Sequence, residues 1–136
     1  MYQLVEPRPF TILIMQITIN DSRKIFAIQE EFNTMFPYLK LEFFSKPHKP
    51  GGASPKKQIL SNSRTLGECR TIHNDGQMTI IPKMTVASLE QNFADVYGLG
   101  VQIFRKSGKA WLETTVTDGW SLDEQNRQGE DLSKSA

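Results

Sequence analysis

The chain has 136 residues, is 38% hydrophobic and 23% charged, and carries a formal charge of +1, a make-up that suits one domain with a buried core and excludes a disordered or strongly basic one. Its longest apolar run, residues 10–15 (FTILIM), is far too short to span a bilayer, and a lone cysteine, Cys69, excludes an intramolecular disulfide. Glu6, Pro7, Arg8 and Pro9 stand where a secretory leader would need a basic start and a longer apolar stretch, so a cytoplasmic protein with no membrane partner is expected.

Residues 1–14 form an N-terminal extension that reads either as an extra strand over 10–14 or as a segment upstream of a true start at Met15. A single domain is expected over 15–126. Its first element is a strand, Gln16-Ile17-Thr18-Ile19, with the isoleucines on one face and the threonine on the other. A helix opened by Asp21 or Ser22 follows, with Ile25, Ile28, Phe32 and Phe36 as its apolar stripe and Pro37 as its stop. Leu39-Lys40-Leu41-Glu42-Phe43 alternates as a second strand with its odd-numbered residues inward. Phe44 then leads into a long turn holding Lys46, Lys49, Lys56 and Lys57, from which 57–60 pairs back weakly. Thr65-Leu66-Gly67-Glu68 has the spacing of a capping box and starts a short helix.

The same order then returns. Gln77-Met78-Thr79-Ile80 overlays the first strand, and Thr85 opens a helix whose stripe is Val86, Leu89, Phe93 and Tyr97, stopped by Gly98. Leu99-Gly100-Val101-Gln102-Ile103 is the matching second strand. Phe104 leads into a tight turn, Arg105-Lys106-Ser107-Gly108-Lys109, and 110–116 (AWLETTV) pairs back as a hairpin. Ser121-Leu122-Asp123-Glu124 repeats the capping box, and 127–136 reads as a flexible polar tail. The expected fold is therefore α+β: two tandem β-α-β-β-(short helix) repeats, 15–70 and 76–126, forming a mixed sheet with helices packed on one face.

Candidate chemistry is sparse. Cys69 and His73 are four apart, the spacing of a thiol and its base if the helix begun at Thr65 runs that far, but the second copy has Gln125 at the cysteine position and nothing marks an oxyanion site. Two histidines and one cysteine without a paired-ligand motif indicate no metal, and no cofactor is indicated. The glycine- and lysine-containing stretch 49–57 fails as a phosphate loop because proline follows its serine. Lys46, Lys49, Lys56 and Lys57 with Arg105, Lys106 and Lys109 would make one cationic edge if the two copies are related by a twofold axis, with Phe44, Phe104 or Trp111 as stacking platforms for nucleic acid. Trp111 and Trp120 flank a polar strand and turn, where aromatic anchors are typical of protein interfaces.

The run 101–115 (VQIFRKSGKAWLETT), with 70–76 (RTIHNDG), resembles a family of small bacterial proteins of unknown function. The resemblance covers most of the chain after Met15, implies a bacterial, cytoplasmic setting, and carries no catalytic or binding residue with it. The leading expectation is a non-enzymatic protein-interaction or adaptor module with an unknown protein partner or self-association. A nucleic-acid-binding accessory protein is the alternative, and an enzyme using Cys69 and His73 the third.

Overall fold

Alternation of apolar and polar residues builds the first long strand, β2 (Ile12–Ile19), whose Met15, Ile17 and Ile19 are fully buried. The computed structural model describes residues 2–5, 12–45 and 58–134. Strand β1 (Tyr2–Val5) runs antiparallel to β2 on one side, and β4 (Gly76–Ile80) lies antiparallel on the other. The N-terminal extension thus contributes a strand over Tyr2–Val5, while 12–14 belong to β2 itself.

Helix α1 (Ile25–Met35) buries Ile25, Ile28 and Phe32, and α2 (Val86–Tyr97) buries Val86, Leu89, Phe93 and Tyr97, the stripes that helical spacing predicts. Thr85 caps α2 by accepting from Ser88 N at 3.0 Å, and Gly98 closes it in the left-handed conformation at φ 65°. Helix α1 starts differently from expectation. Its cap residue is Lys24, which makes no side-chain cap hydrogen bond, because Asp21 is engaged by Arg70 and His73, and Asn20 Oδ1 instead accepts from Ser22 N and Arg23 N.

The second strands, β3 (Leu39–Phe44) and β5 (Gly100–Ser107), pair antiparallel and bury Leu39, Leu41, Phe43, Val101 and Ile103. Strand β6 (Ala110–Glu113) adds to β5 across a two-residue turn with Gly108 at φ 61°. The expected mixed sheet is therefore two separate antiparallel sheets, β1-β2-β4 and β3-β5-β6. Each β-α-β connection carries the chain from one sheet to the other instead of back into the same sheet, and residues from both sheets enclose one core with α1 and α2.

Both central pairings are symmetric about their middles. Ile17 faces Met78, its counterpart in the sequence overlay, while Met15 faces Ile80 and Ile19 faces Gly76. Likewise Glu42 faces its counterpart Gln102, Leu41 faces Ile103 and Phe43 faces Val101.

Two further expectations, the return strand and the tail, are corrected, and the short capped helix expected at Thr65 is present. Of the return strand expected at 57–60, residues 58–60 are described and make one bridge, Ile59 opposite Phe44, held by Leu60 N donating to Phe43 O at 2.8 Å. The helix at Thr65 is a single tight turn, Leu66–Cys69, with both halves of its capping box formed, and it stops where Arg70 becomes extended. The polar tail is the second half of α3 (Leu122–Lys134), an amphipathic helix that buries Leu122, Gln125 and Gly129 and carries the pairs Asp123–Arg127 and Glu130–Lys134 along its exposed face. Among the described residues no helix is long and apolar enough to cross a membrane.

Candidate functional site

The β5–β6 hairpin gathers most of the described candidate residues. Alternation along β5 and β6 puts Phe104, Lys106, Trp111 and Glu113 on one face and Arg105 and Leu112 on the other, since Lys106 is opposite Trp111 and Arg105 opposite Leu112. Lys40 joins the first face from β3. Its Nζ lies 4.9 Å from the Trp111 ring centre, 5.6 Å from that of Phe104 and 3.7 Å from Glu42 Oε2.

This arrangement divides the expected cationic edge. Arg105 points to the opposite side from Lys106, where its Nη1 donates to Gln125 Oε1 of α3 at 3.0 Å and its guanidinium lies 5.8 Å from the Trp120 ring centre. Gln125 is itself buried, donating to Thr117 O and Thr117 Oγ1. Arg105 is thus committed to holding α3 on the sheet. Lys109 is exposed at the turn, and Lys46, Lys49, Lys56 and Lys57 lie outside the described residues. The Trp111 ring that would offer a stacking surface already carries the Lys40 ammonium.

Trp120 stands just before Ser121, whose hydroxyl accepts from Glu124 N at 3.0 Å, and its carbonyl accepts from Val86 N. Its place is structural, at the junction of α2 and α3. Trp111 is different. It sits half-buried on β6, the last strand of its sheet, beside Leu112, which is 44% exposed.

Cys69 and His73 do not share a helical face, because the helical turn ends at Cys69. The Cys69 thiol donates to Thr65 O at 3.2 Å, and burial pushes its pKa up, against a nucleophilic thiolate at neutral pH. His73 instead places Nδ1 2.7 Å from Asp21 Oδ2. The other oxygen of Asp21 accepts from Arg70 Nε at 3.0 Å and Nη2 at 2.8 Å, and Arg70 Nη1 donates to Asn74 O and Tyr97 O. The hydrogen bonds from His73 and then Arg70 hold the Asp21 carboxyl below the ordinary carboxylate range. Every donor of this cluster that bonds is turned toward protein, so it works as a clasp on the connector between the Leu66–Cys69 turn and β4.

Sequence reasoning passed over Lys40, Leu112, Asp21 and Arg70 in these roles. For Lys40 and Leu112 a signal was present in strand alternation, which already placed Lys40 outward. For Arg70 no local signal exists, since Asp21 is 49 residues away. No group of three or more histidine, cysteine or acidic residues able to hold a metal occurs among the described residues. No family model matches this chain, and neither the curated proteins nor the solved structures compared with it give a match.

Proposed function

We propose that this chain is a non-enzymatic protein-interaction module whose contact surface is the β5–β6 hairpin. The observation that carries the reading is Leu112, 44% exposed on the terminal strand of its sheet next to the half-buried Trp111. An exposed leucine on one face and an aromatic ring on the other of a strand whose outer backbone groups meet no described residue offer a partner strand both main-chain hydrogen bonds and apolar contact. Val116, 98% exposed just beyond the strand, extends the apolar character of that end.

The same proposal includes an origin by duplication of a β-α-β-β unit closed by a helix. Supporting it, four backbone hydrogen bonds recur at matched positions: Ile25 N to Arg64 O and Val86 N to Trp120 O; Phe26 N to Asn62 O and Ala87 N to Asp118 O; Leu66 N to Arg23 O and Leu122 N to Met84 O; Gly67 N to Asp21 O and Asp123 N to Pro82 O. The two pairings symmetric about Ile17–Met78 and Glu42–Gln102 agree with it. Among the described residues the tight hairpin with a full return strand belongs to the second copy, which is where a specialised surface would arise. A bacterial cytoplasmic setting is part of the proposal and rests on the resemblance of 101–115 and 70–76.

The test is affinity capture from bacterial extract with the native chain and with Leu112→Lys, measuring protein and nucleic acid in the same eluate. A reproducible protein retained by the native chain and lost with Leu112→Lys is expected. Recovery of nucleic acid that leaves steeply with salt would favour the alternative. No reproducible partner, together with a monomer by light scattering, would overturn the reading.

A further inference from the structure

We infer that the partner strand for β6 is β6 of a second copy, paired antiparallel about Trp111; the inference rests on the hairpin being the contact surface. The two-residue turn makes Ser107 and Ala110 a hydrogen-bonded pair, and alternation makes Arg105 and Leu112 the next. The N–H and C=O groups of Trp111 and Glu113 therefore point away from β5, on the side where, among the described residues, the sheet ends. An antiparallel partner must place outward-pointing residues opposite each other, and of the twofold registers that do so, those centred on Trp111 and on Leu112 place both Trp111 and Glu113 opposite residues of the other strand while keeping the centre within β6.

Charge and size select the first. Centred on Trp111, Lys109 faces Glu113 of the other copy and Glu113 faces its Lys109, so two opposite-charge pairs close the ends of the contact. Trp111 meets its equivalent on that face, each ring backed by a Lys40 ammonium. On the other face Leu112 falls beside the small Ala110 of the other copy, in the closer non-hydrogen-bonded spacing that lets a leucine cover an alanine. Centred on Leu112, Glu113 would face Trp111 and Ala110 would face Thr114, which is buried and already bonds through Oγ1 to Ile103 O at 2.8 Å. Charged side chains are one of the devices that keep an edge strand from pairing with its own copy. Lys109 and Glu113 have opposite signs at positions that cross in the twofold pair, so this edge attracts its own copy.

Beyond Glu113 the ladder is closed from within. Ile103 N donates to Glu90 Oε2 at 3.0 Å and Ile103 O accepts from Thr114, so the contact is limited to about five residues a side. A contact this small gives a weak, concentration-dependent dimer.

Sedimentation equilibrium of the full chain over roughly 10 µM to 1 mM tests this, in the range where weak interfaces associate. The weight-average mass should rise from 15.5 kDa toward the dimer. Glu113→Lys and Lys109→Glu should each weaken association at least about tenfold, because like charges then face each other twice. An equimolar mixture of those two variants should recover it, and the double variant K109E/E113K should associate like the native chain. Association unaffected by either single reversal, or not recovered by the mixture, would overturn the inference. So would a native chain that stays monomeric throughout; in that case Leu112-dependent capture of another protein would leave the interaction reading standing, while its absence would remove both.

Discussion

Arg70 and Asp21, 49 residues apart, meet side-on, with Nε at 3.0 Å and Nη2 at 2.8 Å from the same carboxylate oxygen. The remaining nitrogen reaches Asn74 O at 2.8 Å and Tyr97 O at 3.1 Å. One side chain with no exposed surface therefore fastens the β2–α1 turn, the connector into β4 and the end of α2. Arg70→Met keeps most of the volume and removes every donor, leaving the buried Tyr97 carbonyl without its Arg70 donor and Asp21 without its cation, and should cost roughly 2–4 kcal/mol. By calorimetry the melting temperature should fall by on the order of 10 °C. Arg70→Lys, which keeps the charge and loses the planar fork, should fall between the two.

The same clasp gives stability a defined acid limb. Asp21 has its pKa lowered in the folded chain by His73 and Arg70, so the unfolded chain binds its proton first as pH drops. Its contribution is complete above the ordinary carboxylate value, near 4, and is lost as pH falls through the lower folded value. Urea unfolding at pH 7, 4 and 3 should show the gap between the native chain and Asp21→Asn largest at pH 7 and shrinking on acidification. A gap that widened toward pH 3 would mean the sign is wrong.

Local physics made much of this fold legible. The stripes on α1 and α2, the stop at Gly98, the capping at Thr65 and Thr85 and the tight hairpin all follow from interactions within a few residues, which spacing records. The division into two sheets does not, because Met15 pairing with Ile80 and Leu39 with Arg105 are contacts between distant segments that alternate identically whichever sheet they enter. The end of the chain reads as a tail because it is polar, whereas its helix is held by a tertiary contact: Gly129 lets α3 approach Tyr38, where a Cβ would lie 2.8 Å from the tyrosine Cβ. In the candidate site, alternation gave the faces of Phe104 and Trp111, whereas the diversion of Arg105 to Gln125 depends on α3 crossing the sheet.

Two glycines with positive φ separate backbone strain from crowding. Gly98 has φ 65° and a Cβ there would lie 3.2 Å from Ile72 Cβ, while Gly108 has φ 61° with nothing within 4 Å. Gly108→Ala should cost the left-handed penalty alone, about 1–2 kcal/mol. Gly98→Ala should cost more, since the connector at Ile72 must also shift. Equal losses in chemical denaturation would show that Ile72 yields freely.

Each of the two sheets contains strands from both halves of the chain. The β2–β4 and β3–β5 pairings each join a strand before the connector to one after it, and Phe93 of α2 packs edge-on against Phe43 of β3, with ring centres 6.0 Å apart at 79°. Phe32 and Phe93 are both fully buried in that shared core. Phe32→Ala and Phe93→Ala should therefore each lower stability by about 3–5 kcal/mol. Each should do so by moving one urea transition to lower concentration with its slope unchanged, because losing either residue weakens the same cooperative unit. Two resolved transitions in either variant, by fluorescence and circular dichroism together, would mean that the halves unfold separately and that the cross-paired strands do not couple them.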